Sequence, residues 1–493
     1  MLIQTPDWVK HAVFYQIFPD RFARTKRDTT PISMHVPLES WTSPPTPQGY
    51  KGGDLWGIVE HLDYLQSLGI TAIYLTPIFQ SACNHRYHTH DYYQVDPLLG
   101  GNKALMELLD EAHLRNIRVV LDGVFNHASR GFFHFNDILE NGPYSPWLDW
   151  FLVEKWPLSA YDGSLPANYV AWIGNRALPK FNYFNAEARE YIMQVGEHWI
   201  RQGIDGWRLD VPSEVKVPGF WEEFRHRIKA INPDAYIVGE IWDDARQWLD
   251  GKQFDGVMNY LFTGPTIAFT AGDRVIEKHA KEPAYDPYPA LDAAAYANKI
   301  KALLELYDWN IQLTQLNLLS SHDVARILTV VGGEEASLAA QHEAYTSAKL
   351  AALLLMTFPG APCIYYGDEV GLAGGMDPDN RRVFPEKDDW NHDISKCYSQ
   401  LIQLRHQHPA LRIGRYRLVY AQGMTYLFAR CLDDAVMLVG LNVGDDDDSV
   451  QLDVRALPFS GQPTTVYYGE GAIQWRGDRL ELSLPKRSGI IVG

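Results

Sequence analysis

The chain has 493 residues, with 44 Lys+Arg against 61 Asp+Glu and a formal net charge of −17. That excess of negative charge repels phosphate backbones and anionic lipid, which argues against nucleic-acid and membrane-surface roles. Its 46% apolar residues supply a large core, and 21% charged residues is too few for a disordered chain.

The opening stretch MLIQTPDWVKHAVFYQIFPDRF has no basic region followed by a long apolar run, so no signal peptide is expected. The longest apolar run, residues 350–358, has the length of a buried helix segment and not of a membrane span. Cys83, Cys363, Cys397 and Cys431 form no CxxC pair, and Cys83 and Cys363 lie in apolar or strand-like surroundings. Reduced thiols in a soluble, cytoplasmic protein are the expectation.

Short apolar runs with the texture of buried parallel strands alternate along the chain with amphipathic stretches. Residues 12–18 form the first strand, and a loop rich in Pro, Thr and Ser leads to a helix over 55–68. A strand at 72–75, a helix at 103–116 and a strand at 118–124 follow. From Ala128 to Phe181 the pattern lapses over a stretch carrying Trp147, Trp150, Trp156 and Trp172. It is too long for an ordinary connection and predicts a small inserted domain. Helix 186–202, strand 206–209, helix 220–230 and strands 236–238 and 256–258 come next. Helix 293–306, strand 316–319, helix 341–357, strand 362–365 and helix 395–408 complete the series.

Parallel strands need crossover connections, and eight in succession with covering helices predict an α/β fold closed as a (β/α)8 TIM barrel. The barrel is expected over residues 1–127 and 182–411, with the inserted domain at 128–181. An open doubly wound sheet would need a glycine-rich phosphate turn after its first strand, and QIFPDR at 16–21 is not one. From about Ile413 the texture changes to short alternating segments at 417–420, 425–430, 436–441, 449–452, 465–468 and 479–484. Turns such as Gly444 with Asp445–Asp448 separate them, and they predict a C-terminal antiparallel β-sandwich domain over 412–493.

In such a barrel the side chains at the carboxyl ends of the strands share one mouth. Those ends carry Asp122 with Asn126 and His127, Arg208 with Asp210, Glu240 with Trp242, and His322 with Asp323. A lone acid there is a helix cap or loop solvator. Acids at three strand ends of one mouth repel one another and cost stability unless the site uses them. Alternation puts Arg208 and Asp210 on one face, so the guanidinium is expected to hold Asp210 ionised. A carboxyl set against Trp242 and apolar surface would keep its proton. One ionised and one protonated carboxyl is the requirement for glycosidic cleavage. The 27 Tyr and 15 Trp offer flat faces that suit sugar rings and ordinary packing alike. A metal reading also exists, with His85, His88 and His90 as ligands and Asp122, His127 and His322 completing the set. It is disfavoured because a barrel metallohydrolase usually carries HxH after its first strand, where this chain has Pro19-Asp20.

These segments resemble the signature regions of the α-amylase superfamily, glycoside hydrolase family 13. DGVFNH at 122–127, GWRLD at 206–210, GEIW at 239–242 and LLSSHD at 318–323 occur in the family's order at successive strand ends. LPKFN at 178–182 and the run GWRLDVPSEV are similar to the neopullulanase, cyclomaltodextrinase and maltogenic amylase subgroup. The resemblance implies that Asp210 is the nucleophile and Glu240 the general acid/base of a retaining double displacement. Asp323 becomes the third carboxylate, which binds hydroxyls and helps distort the ring. Arg208 orients Asp210, His127 and His322 donate to the sugar in subsite −1, and Tyr87 of the His85–Tyr87 pair stacks beneath it. Trp242 joins the substrate-binding residues, and Asp377 and Arg381 fall in the segment that closes the non-reducing side.

The resemblance has departures. The subgroup's N-terminal β domain has no counterpart, because the first strand already starts near residue 12; a more open cleft follows, and the choice between monomer and homo-oligomer is left undecided. The loop after Phe22 carries Arg24, Lys26 and Arg27 in place of oxygen ligands. No cofactor is therefore required, and calcium keeps room with Asn126 as a ligand. Trp242-Asp243 stands where the subgroup commonly has Trp-His, so acceptor preference is expected to differ.

The implied activity is hydrolysis of α-1,4, and by extension α-1,6, glucosidic bonds in maltodextrins, cyclodextrins, starch or pullulan. Transglycosylation occurs where a sugar hydroxyl replaces water. One alternative is an exo-acting α-glucosidase or glucosyl transferase of the same superfamily, distinguished by product size. Another is an inactive glucan-binding barrel, which predicts eroded carboxylates and a membrane anchor; the sequence offers neither.

Overall fold

The computed structural model describes residues 3–27, 36–280, 289–334 and 337–493. Eight parallel strands, Phe14–Ile17, Ala72–Leu75, Arg118–Gly123, Gly206–Leu209, Tyr236–Gly239, Gly256–Asn259, Leu316–Leu318 and Ala361–Tyr365, close into a barrel. Each pairs with the next in chain order, and the eighth returns to the first, Phe14 lying opposite both Ala72 and Cys363. Nearly all their residues are buried, which is why they read as unbroken apolar runs and not as alternating ones. Cys363 lies within the eighth strand as expected, whereas Cys83 lies half-exposed in a hairpin turn; all four thiols are free.

The helix expected over 55–68 is two, Leu55–Glu60 and Leu62–Leu68, interrupted at His61. Asp54 starts the first by accepting the Gly57 N–H at 2.7 Å. Gly69, at φ +95°, ends the second in the left-handed region. Helix Tyr260–Ala271, directly after the sixth strand, gives no periodic signal. It is buried almost all round and contains Pro265, so neither an apolar stripe nor propensity marks it. It packs against helices Ala293–Leu306 and Leu338–Thr357.

Beyond the second barrel strand, Phe79–Ser81 and Thr89–Val95 form a hairpin that holds His85 and Tyr87 in its turn. After the third strand the chain forms helix Phe133–Asn141 and a set of single bridges, His127 with Lys180, Phe151 with Phe181, and Ala171 with Pro179. Its aromatic richness mostly packs its own core, with Phe132, Phe135, Phe151, Tyr169 and Phe181 in mutual ring contact.

Past residue 414, a five-stranded and a three-stranded antiparallel sheet enclose Leu427, Leu438, Val450, Leu480, Leu482 and Ile490. Strand Ala472–Arg476, absent from the sequence reading, completes the smaller sheet. Buried Arg430 fastens this part to the barrel by donating to the Leu411 and Gly414 carbonyls, while Arg405, inside the barrel's last long helix, donates to Met356, Leu411 and Gly360 and secures the chain just before the junction. Among the described residues no helix is long and apolar enough to cross a membrane.

Candidate active site

The carboxyl ends of the barrel strands bring Asp122, Asp210, Glu240 and Asp323 around one buried guanidinium. Arg208 Nη1 donates to Asp122 at 2.9 and 3.0 Å and to Asp210 Oδ1 at 3.1 Å. Its Nη2 lies 3.0 Å from Glu240 Oε2 and 3.9 Å from Asp323 Oδ2. Strand alternation aims Arg208 and Asp210 to one side of the fourth strand, as the sequence suggested.

The electrostatics differ from that reading. Arg208 does not serve Asp210 alone, and Glu240 is not set against bare apolar surface. Glu240 accepts the Val211 N–H at Oε2, 3.0 Å away, and the Trp242 indole N–H at Oε1, also 3.0 Å away. One cation cannot neutralise four acids, so their charges repel one another across the cleft. Burial pushes Asp210 well above the ordinary carboxylate range, Glu240 adds to this, and Arg208 opposes it. Burial and the nearby Glu240 likewise raise Asp323, to about 7. Asp122 is raised by burial against the pull of Arg208, and it accepts the hydroxyls of Tyr74 at 2.6 Å and Tyr87 at 3.1 Å.

His322 lies beside Asp323, its Nε2 3.2 Å from Oδ1 and in contact with the Tyr87 hydroxyl. The Gln16 amide nitrogen sits 2.8 Å from Nδ1. Donation from that amide places the single ring proton on Nε2, facing the cleft. Burial holds the ring neutral, far below its usual range. Arg381 donates through Nε and Nη2 to the His322 carbonyl at 3.1 and 3.0 Å, and pairs with half-exposed Asp377 at 2.9 Å. It therefore braces the seventh-strand loop as well as lining the rim.

His127 is buried, stacks on Trp172 with ring centroids 5.2 Å apart, and receives the Asn126 amide at Nδ1, 3.1 Å away. Its Nε2 has no hydrogen-bond partner among the described residues, and burial lowers its pKa to about 3, leaving a neutral donor. Tyr87 lies parallel to His322, with planes 5° apart. His85 accepts the Tyr87 N–H at Nδ1, 3.2 Å away. Trp242 stacks on Tyr260 at 3.9 Å, so that ring is fixed before any ligand arrives.

Of the residues weighed as metal ligands, His85 and His88 come together with Cys83 and not with His90, Asp122, His127 or His322. That sulfur–nitrogen set lacks the oxygens calcium requires, and Asn126 lies outside it. The sequence reading passed over Gln16, Tyr74, Val211, Trp172 and Tyr260. Gln16, a polar residue inside an apolar strand, was the one with a signal.

Comparison with known proteins bears on the same segments. The alpha amylase catalytic domain family matches residues 16–393, and the alpha-amylase C-terminal domain family matches 414–492. Neopullulanase 2 of Thermoactinomyces vulgaris is 40% identical over 495 residues, covering 99% of this chain and 78% of that one. A cyclomaltodextrinase from Bacillus sp is 42% identical over 424 residues, 85% of this chain and 70% of that one. The crystal structure of the debranching enzyme from Nostoc punctiforme is similar over the whole of both chains, with a TM-score of 0.92 at 61% identity.

Proposed function

The chain belongs to the α-amylase family of glycoside hydrolases, and from that premise we propose that it cleaves α-1,4 and α-1,6 glucosidic bonds of maltodextrins and branched α-glucans with retention. The observation that carries this reading is the convergence of Asp122, Asp210, Glu240 and Asp323 on Arg208. The names of its relatives, a neopullulanase, a cyclomaltodextrinase and a debranching enzyme, support the inclusion of both linkages.

In this reading the sugar of subsite −1 lies over Tyr87, with His127 Nε2 and His322 Nε2 donating to its hydroxyls. Glu240 carries a proton when the glycosidic oxygen reaches it. Glu240 gives that proton to the departing sugar while Asp210 attacks the anomeric carbon and forms a glycosyl ester. Glu240 then takes a proton from water, or from a sugar hydroxyl, which attacks the same carbon and frees Asp210. Asp323 and the two imidazoles gain strength as positive charge builds on the ring, which lowers the barrier. Asp122 and Tyr74 hold Arg208 in place. The free thiols suit a reducing compartment, which supports an intracellular setting.

Pullulan, maltotriose, β-cyclodextrin and a branched dextrin are digested while product anomers are followed by proton NMR. The α-anomer appears first if the displacement is double. Asp210→Asn and Glu240→Gln each lose at least about 10²–10⁴-fold in turnover with folding intact. Initial release of the β-anomer, or near-normal turnover in either variant, overturns the reading.

A further inference from the structure

Beside the carboxyl cluster, three other reactive side chains meet. Candidate donor atoms of Cys83, His85 and His88 all lie within 4.8 Å of one another. The hairpin turn creates this meeting. Ser81 Oγ closes the turn on the His88 carbonyl at 2.8 Å, and buried Arg86, at φ +59°, is tied to Asp96 at 3.0 Å. The tight backbone turns residues 83, 85 and 88 to one side. Cys83 Sγ stands 3.6 Å from His85 Nδ1, and the rings of His85 and His88 meet edge to face at 5.2 Å.

A tetrahedral zinc with bonds of roughly 2.0–2.3 Å needs donors about 3.5 Å apart. The thiol–imidazole distance already meets that, and the widest separation closes by side-chain rotation. All three side chains are half-exposed, so an ion can enter from solvent. A set of one thiolate and two imidazoles selects zinc or copper over magnesium and calcium.

We propose that Cys83, His85 and His88 bind a zinc-class divalent cation, with water as fourth ligand, and that its binding inhibits glucan cleavage. Binding expels the Cys83 thiol proton to solvent. It also takes the His85 Nδ1 lone pair that now accepts the Tyr87 N–H, and so frees the backbone of the residue whose hydroxyl reaches Asp122 and His322. The binding step stands on the three side chains alone; the inhibition rests on the glucan-cleaving reading of the cleft.

The untagged full chain is titrated calorimetrically with zinc chloride, and with cobalt chloride to detect a thiolate-to-metal absorption band. One equivalent binds with that band. Cys83→Ser loses the band and Cys83→Ser and His88→Ala each bind zinc at least about tenfold more weakly. Both variants keep metal-free turnover, and both resist zinc inhibition. Equal zinc affinity in the wild type and Cys83→Ser overturns the site. Tight binding with full turnover at saturating zinc overturns the inhibition. A protein that binds zinc through Cys83 yet cleaves no glucan leaves the site standing and defeats the reading of the cleft instead.

Discussion

The backbone N–H of Val211 donates to Glu240 Oε2 at 3.0 Å, so the residue that follows one acid is fastened to the other. Val211 makes this bond from φ +35°, ψ +51°, a left-handed conformation that a β-branched side chain resists. Such a conformation costs of order 1–3 kcal/mol and persists where the surroundings dictate it. The bond made from this conformation ties the backbone after Asp210 to the Glu240 carboxylate.

Val211→Gly tests this directly. Glycine adopts the conformation freely, so the unfolding temperature holds or rises slightly. The N–H that Glu240 accepts remains, but the looser turn aims it less firmly, and kcat falls about tenfold with KM little changed. An unaltered kcat would show that the strain is structural only.

The barrel was legible because each of eight buried parallel runs needs a crossover to reach the next, and the acids were legible because they end those runs. What stayed hidden was partnership across strands. Arg208 and Asp210 share a face through local alternation, but the approach of Asp122, Glu240 and Asp323 to that guanidinium depends on barrel closure. Spacing along one strand cannot show it. Helix Tyr260–Ala271 stayed hidden for another reason: burial on all sides erases the apolar stripe. Cys83 was placed in apolar surroundings because a hairpin turn has no periodic mark.

Gln16 acts through His322. With its amide nitrogen 2.8 Å from Nδ1, the ring proton belongs on Nε2, toward the cleft. Gln16→Leu removes that preference without adding volume and lowers kcat about 10–100-fold. This is less than the ~10⁴ lost when a catalytic base takes the wrong tautomer, because here the ring only donates to substrate. Nitrogen NMR of the imidazole shows a mixture of tautomers. A single Nε2–H form in the variant would remove Gln16 from this role.

Asp323 gives a pH signature. Its carboxyl is raised from 3.8 to about 7, by burial first and by Glu240 second. Between those values the unfolded chain releases a proton that the native state keeps, so this group's stability contribution is complete below pH 4 and is lost as pH climbs to about 7. Asp323→Asn escapes the loss. Its unfolding temperature matches wild type near pH 4 and exceeds it by a few degrees at pH 8 and above. The side chain keeps 27% exposure in the cleft, so solvent screens part of the effect, and the shift falls below the ~1.4 kcal/mol per unit of pKa change. Turnover collapses in the same variant. A constant difference across pH 4–8 would deny the coupling.

Lys180 and Glu214 join two segments that the sequence marked separately. Lys180 Nζ donates to Glu214 Oε2 at 3.0 Å and to the Glu214 carbonyl at 3.1 Å, tying LPKFN to the turn after Asp210. Both side chains are partly exposed, at 18% and 40%, so the ion pair contributes only about 0.2–1 kcal/mol to stability. Its larger effect is geometric, since the same inserted segment carries Trp172, which packs on His127. Lys180→Met therefore leaves the unfolding temperature within about 1–2 °C of wild type. It raises KM for maltotriose and pullulan several-fold, because His127 loses its fixed position toward the sugar while Asp210, Glu240 and Arg208 keep theirs. Reversing the pair, Lys180→Glu with Glu214→Lys, restores much of the KM if the bridge positions the segment. A double variant no better than Lys180→Met would show that the main-chain bond to the Glu214 carbonyl, which the reversal cannot rebuild, carries the coupling.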